Sequence, residues 1–168
     1  MKMVDGDGNP MKGEQYMWDG DYLTEINWNE MELTGTLELD CFDHLEKVWC
    51  GYNQLTELDV TKCASLVELN CGENQLSELD VSKCTSLEDL NCGGNQLSEL
   101  DVSKCLSLKN LSCYNNQLSK LDVSKCPSLE CLDCYGNQLS ELNLTNNKKL
   151  DALRCDDTVT VIGYTKSE

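Results

Sequence analysis

From Leu45 onward the chain repeats itself every 21 residues, with units opening at Leu45, Leu66, Leu87, Leu108, Leu129 and Leu150. The shared phase is L-x-x-L-x-C-x-x-N-Q-L-S-x-L-D-V-S-K-C-x-S. A looser unit, LTEINWNEMELTGTLELDCFDH, precedes it from Leu23 and is one residue longer. A fixed period of this kind selects a repeat architecture, in which each unit touches chiefly its neighbours. Within one unit, VELNC at 67–71 alternates: Leu69 and Cys71 share one face, Glu68 and Asn70 the other. That is the pattern of a half-buried strand. Strands one period apart stack in parallel at ~4.8 Å, so equivalent residues form rows. The remainder, LSELDVSKC, leaves no room for a helix and predicts an extended or 3-10-like return with Leu76, Leu79, Val81 and Cys84 inward. One unit buries too little to offset the entropy of ordering its own backbone, so only stacking makes folding favourable.

The rows define the interior. Asn53, Asn74, Asn95, Asn116 and Asn137 form an asparagine ladder, whose amides are expected to bond the backbone where the chain leaves each strand. Met31 and Thr158 stand where the next asparagines would be and mark the ends. Cysteines make two further rows: Cys50, Cys71, Cys92, Cys113, Cys134 and Cys155 on the strands, and Cys63, Cys84, Cys105 and Cys126 on the returns. Trp28 and Phe42 take the equivalent places in the leading unit, so the position calls for a buried apolar group. Cysteine serves there as a small hydrophobe. Stacked Cβ vectors run parallel, a poor geometry for disulfides. Cys131 and Cys134 spell C-x-x-C, but an extended chain sends them to opposite faces, which argues against a redox or zinc pair. Cys131 and Cys41 fall outside the rows and are expected to be exposed thiols.

The opening half of each unit, L-x-x-L-x-C-x-x-N-x-L, resembles the leucine-rich repeat family, with Cys at the third apolar position. It is most similar to the short bacterial cysteine-ladder type found in internalin-like surface proteins. The resemblance implies a leucine-rich repeat solenoid: a right-handed coil with one parallel β-sheet on its concave face, extended or 3-10 returns and almost no α-helix, save a short one near 10–17. About seven coils are expected. Residues 1–22 form an acidic, aromatic N-terminal cap segment, 23–157 the solenoid, and 158–168 a closing strand and tail. The resemblance also implies a secreted or cell-surface setting, although MKMVDGDGNPMKG lacks the apolar core of a signal peptide.

Function is sought where the copies differ. The open face of the sheet carries Lys47, Trp49 and Tyr52, then Glu68 and Asn70, then Asp89 and Asn91. It continues through Asn110, Ser112 and Tyr114 to Asp133, Tyr135 and Arg154. Variable residues on a constant frame suit partner recognition. Trp49 and a Tyr114/Tyr135 pair one rung apart are candidate anchors, since aromatics dominate interface energetics. The chain is expected to be a non-enzymatic protein–protein interaction module, with adhesion or host interaction implied by the resemblance. A glycan-binding module and a structural spacer with a calcium-stabilised cap are the alternatives.

Charge narrows the partners. Thirty acidic residues against 13 basic ones give a net charge of −17, which disfavours nucleic acid and anionic lipid. On the returns, Asp59, Asp80, Asp101 and Asp122 precede Lys62, Lys83, Lys104 and Lys125 by three residues and are expected to cap turns and partly pair with them. No catalytic constellation is evident: His44, the single histidine, has no nucleophile or orienting partner in sequence. DGDGN at 5–9 has the alternating oxygens of a calcium loop, but Pro10 and Tyr16 stand where such a loop needs Gly and Glu. No cofactor is expected, and calcium at this segment stays open as an alternative.

Overall fold

The structure is a computed structural model that describes residues 15–39 and 42–165. The DGDGN segment and Cys41 lie outside the described residues. Every regular element among the described residues is a strand. Seven short strands repeat along the coil: β2 (Tyr22–Asn27), β4 (Lys47–Trp49), β6 (Glu68–Asn70), β7 (Asp89–Asn91), β8 (Asn110–Ser112), β9 (Cys131–Asp133) and β11 (Ala152–Arg154). They pair in parallel in that order, in register from rung to rung, giving a β-solenoid of about six turns, the architecture that the resemblance implies. A hairpin partner, β1 (Tyr16–Asp19), pairs antiparallel with β2 and extends this sheet to eight strands. The helix expected near 10–17 is not formed at its C-terminal end, since Tyr16 and Met17 lie in β1. The Trp28 indole N–H donates to Tyr16 Oη at 2.9 Å, and the two rings meet edge to face at 5.9 Å, which holds the hairpin to the solenoid.

The core is the repeat read inward. The leucines of strand and return, the Val60–Val81–Val102–Val123 row and both cysteine rows are buried as far as Cys134; Leu153 and Cys155 at the C-terminal end, and Trp28 and Phe42 at the N-terminal end, are partly buried and pack against them. Cys50, Cys71, Cys92, Cys113 and Cys134 are free thiols with no accessible surface. Burial pushes the Cys50 and Cys92 thiols up to about 12, and raises Cys71 and Cys113 well above the ordinary thiol range. The return thiols sit against the preceding rung: Cys84, Cys105 and Cys126 approach the carbonyls of Val60, Val81 and Val102 at 3.6–3.8 Å. In the unit that opens at Leu129, Asn147 takes this place, and its amide donates to Val123 O at 2.9 Å and Cys126 O at 2.8 Å.

The returns are extended segments joined by tight turns. Asp80, Asp101 and Asp122 each accept the backbone N–H of the serine two residues on at 2.8–2.9 Å, and Asp59 accepts from Thr61 in the same way. These bonds, preceded at Asp59 by the one from the Thr61 hydroxyl, hold all four carboxyls below the usual aspartate range, with the lysine three residues on a lesser contribution. At the two ends the return side adds strands of its own. β3 (Thr34–Glu38) pairs in parallel with β5 (Gln54–Asp59), and β10 (Glu141–Asn143) with β12 (Thr160–Ile162). The strand read at 158–164 therefore continues the return side rather than the main sheet.

Candidate functional site

The third and fifth residues of each unit flank an inward leucine, or Val48 in the unit that opens at Leu45, and project from the open face. Parallel register turns them into two columns. One runs Glu68, Asp89, Asn110, Cys131, Ala152, and the other Asn70, Asn91, Ser112, Asp133, Arg154. Between them lies a trough of about 610 Å³ that begins at Glu68 and Asn70 and ends at Arg154 and Tyr164. Eight of the residues selected from sequence line it. Lys47, Trp49, Tyr52, Tyr114 and Tyr135 lie outside it, at its N-terminal end or along its rim. Cys131, Ala152, Asp151 and Tyr164 line it as well and were not among the selected residues. The first two stand at the same repeat position as Glu68 and Asp89, so phase alone identifies them; Tyr164 arrives from beyond the last repeat and has no phase.

The aromatics are placed individually. Trp49 is half-buried; its indole N–H donates to Glu68 Oε1 at 2.7 Å, and Lys47 Nζ stands 5.7 Å from its ring centroid. Tyr114 turns back across two rungs, and its hydroxyl donates to Glu73 Oε1 at 2.9 Å. Gly93 makes this path open, because a Cβ there would lie 2.3 Å from the tyrosine ring. Partial burial, then the bond to Glu73, pushes the Tyr114 hydroxyl up to about 12. Tyr135 is exposed, with the Arg154 guanidinium 4.5 Å from its ring centroid. Tyr114 and Tyr135 therefore engage different partners. Tyr52 is 62% exposed and has φ of 55°, the left-handed region. Glu73, Gly94, Asn115 and Gly136 share that conformation at the same repeat position.

Charges on the face are partly matched. Lys47 pairs with Glu25 at 2.9 Å, Lys109 with Glu88 at 2.6 Å, and Arg154 with Asp133 at 3.0 Å. Glu68 and Asp89 sit on adjacent rungs, and each takes a hydrogen bond from a neutral group, the Trp49 indole and the Asn110 amide. Cys131 is exposed whereas Cys134 is buried, as strand alternation requires. Among the described residues, no three His, Cys, Asp or Glu side chains converge as metal ligands. His44 stacks on Tyr22 with ring centroids 3.9 Å apart, at the hairpin and away from the trough.

Residues 64–105 and 106–155, together more than half of the chain, match the family model described as Leucine Rich repeats (2 copies). No curated protein matches. Among solved structures, the functional domain of InlJ from Listeria monocytogenes, described as including a cysteine ladder, is 27% identical with a TM-score of 0.73. That match covers 96% of this chain and 37% of that one. A leucine-rich repeat protein from Leptospira interrogans is also 27% identical, with a TM-score of 0.63, over 67% of this chain and 31% of that one. The plant peptide hormone receptor RGFR1, solved in complex with RGF2, shares the fold at 24% identity and a TM-score of 0.67, over 74% of this chain and 23% of that one. The chain thus spans about a third of the length of these two bacterial structures.

Proposed function

The chain belongs to the leucine-rich repeat family, and from that premise we propose that it is a non-enzymatic protein-binding module that takes its partner on the open face of its sheet. Leucine-rich repeats serve widely as protein-interaction modules. The observation that carries the choice of face is the contrast between its two sides. Inward, the rungs repeat the same Leu and Cys; outward, the paired columns change at nearly every rung and enclose a trough of about 610 Å³. The exposed Tyr135, its ring against the trough-lining Arg154, supplies rigid contact area.

A surface or secreted setting, with a role in adhesion or host interaction, belongs to the same proposal. The thiols are compatible with it, because burial keeps the rows protonated and out of reach of oxidants. The reading is tested by binding from host and bacterial extracts, comparing the native chain with Ser112→Arg, which sets a long cation in the middle of the sheet. A bound protein that is lost with Ser112→Arg, while the variant melts as the native chain does, supports it. A partner retained at full strength by the variant, or binding seen only on a glycan array, removes it.

A further inference from the structure

The trough is not uniform along its length, and the gradient specifies what fits it. At one end Glu68 and Asp89 stand on adjacent rungs, about 4.8 Å apart. The groups that orient them are neutral, the Trp49 indole and the Asn110 amide, so both charges remain. The neighbouring cations make their ion pairs with other carboxylates, Lys47 with Glu25, Lys109 with Glu88 and Arg154 with Asp133, and act on Glu68 and Asp89 only as lesser, longer-range charges. The chain as a whole carries −17, so its wider field is negative like this pair. At the other end of the same column Cys131 and Ala152 are adjacent and exposed, with Leu153 between the columns beside them. The column therefore passes from two carboxylates, through Asn110, to two small apolar groups.

From this charge complementarity we propose that the trough takes an extended peptide segment of a protein partner, lying across the strands, with a Lys or Arg over Glu68 and Asp89 and an apolar side chain over Cys131 and Ala152. The spacing follows from geometry. The midpoints of the two pairs are three rungs apart, about 14 Å, whereas an extended chain advances about 3.3 Å per residue. Side chains on one face of that peptide recur every second residue, so the basic and apolar residues stand four apart. The proposal rests on the open face being the binding face and adds the chemistry of the occupant.

A random decapeptide library displayed on phage, selected on the immobilised full chain, tests both. The expected consensus has Lys or Arg four residues from Leu, Ile, Val or Met. Synthetic peptides from it should lose at least tenfold in affinity to Glu68→Gln/Asp89→Asn. They should also lose at least tenfold when their basic residue becomes Glu, and should bind more weakly as salt rises. Ala152→Arg should abolish binding, with each variant checked for an unchanged melting temperature. A neutral or acidic consensus that Ala152→Arg still abolishes overturns the basic-peptide proposal and leaves the face intact. Ligands indifferent to all three substitutions overturn both readings, and a selection that enriches no peptide overturns the peptide proposal.

Discussion

Tyr52 holds a backbone conformation that glycine prefers, and its ring is mostly in solvent. The left-handed region costs a bulky residue about 1–2 kcal/mol, and Gly94 and Gly136 show how the same turn is made without that cost. Glycine returns part of the gain through its greater freedom when unfolded, about 0.5–1 kcal/mol. The balance predicts that Tyr52→Gly stabilises the chain by about 0.5–1 kcal/mol, read as a higher midpoint in urea. If Tyr52 contacts the partner, the same variant binds more weakly while standing up better to denaturant. A lowered midpoint would show that the ring packs in a way its exposure does not suggest. Glu73, equally left-handed, differs in having a visible counterpart in its bond to the Tyr114 hydroxyl. Neither conformation is written in Tyr or Glu; only alignment with the Gly and Asn of other units exposes it.

The element that repeats is a strand plus the asparagine that closes it. The Asn95 amide donates to Cys92 O of its own rung and Cys71 O of the rung before, both at 3.1 Å, and its Oδ1 accepts from Leu76 N–H at 3.0 Å. Asn95→Ala leaves the buried Leu76 N–H without its acceptor, at about 1–3 kcal/mol, while Cys71 O and Cys92 O each lose one of two amide donors and keep Asn74 and Asn116. A loss of about 1–3 kcal/mol is expected, read by equilibrium unfolding; a loss under about 1 kcal/mol would mean that water replaces the amide. These strands and their inward residues were legible because alternation and period coincide in every copy. The returns were legible as a path but not as strands. QLTELD at 54–59 is a strand and QLSELD at 75–80 is not, although they differ only at Thr56 and Ser77. What differs is the neighbour. β3 comes from the irregular first unit and offers an edge to β5, with a bulge that leaves Thr56 without an opposite number. The β1–β2 hairpin and Tyr164 escaped for the same reason: beyond the repeats there is no second copy to read them against. Of the candidate site, the columns followed from phase, whereas the direction of Tyr114 depended on the space above Gly93.

Across the whole molecule, two stacked rows of thiols lie in a dry core. Their folded pKa values are raised, to about 12 for Cys50 and Cys92, from an ordinary value near 9. The unfolded chain therefore releases these protons first as pH rises. The stabilisation is complete below about pH 9 and is lost between about 9 and 12, at about 1.4 kcal/mol per pH unit for each buried thiol. Urea midpoints taken under reductant should fall steeply from pH 8 to pH 10.5, and Cys92→Ala should make the fall shallower. Equal midpoints at the two pH values would contradict the burial of the row. The asparagine bonds carry a different consequence, for heredity. Since Asn74, Asn95 and Asn116 make the same bonds to their neighbours at distances within about 0.2 Å of one another, recombination that deletes or duplicates one 21-residue unit rejoins like with like. The gene can then lengthen or shorten the open face of the sheet in steps of ~4.8 Å, testing new outward residues without disturbing an inward one.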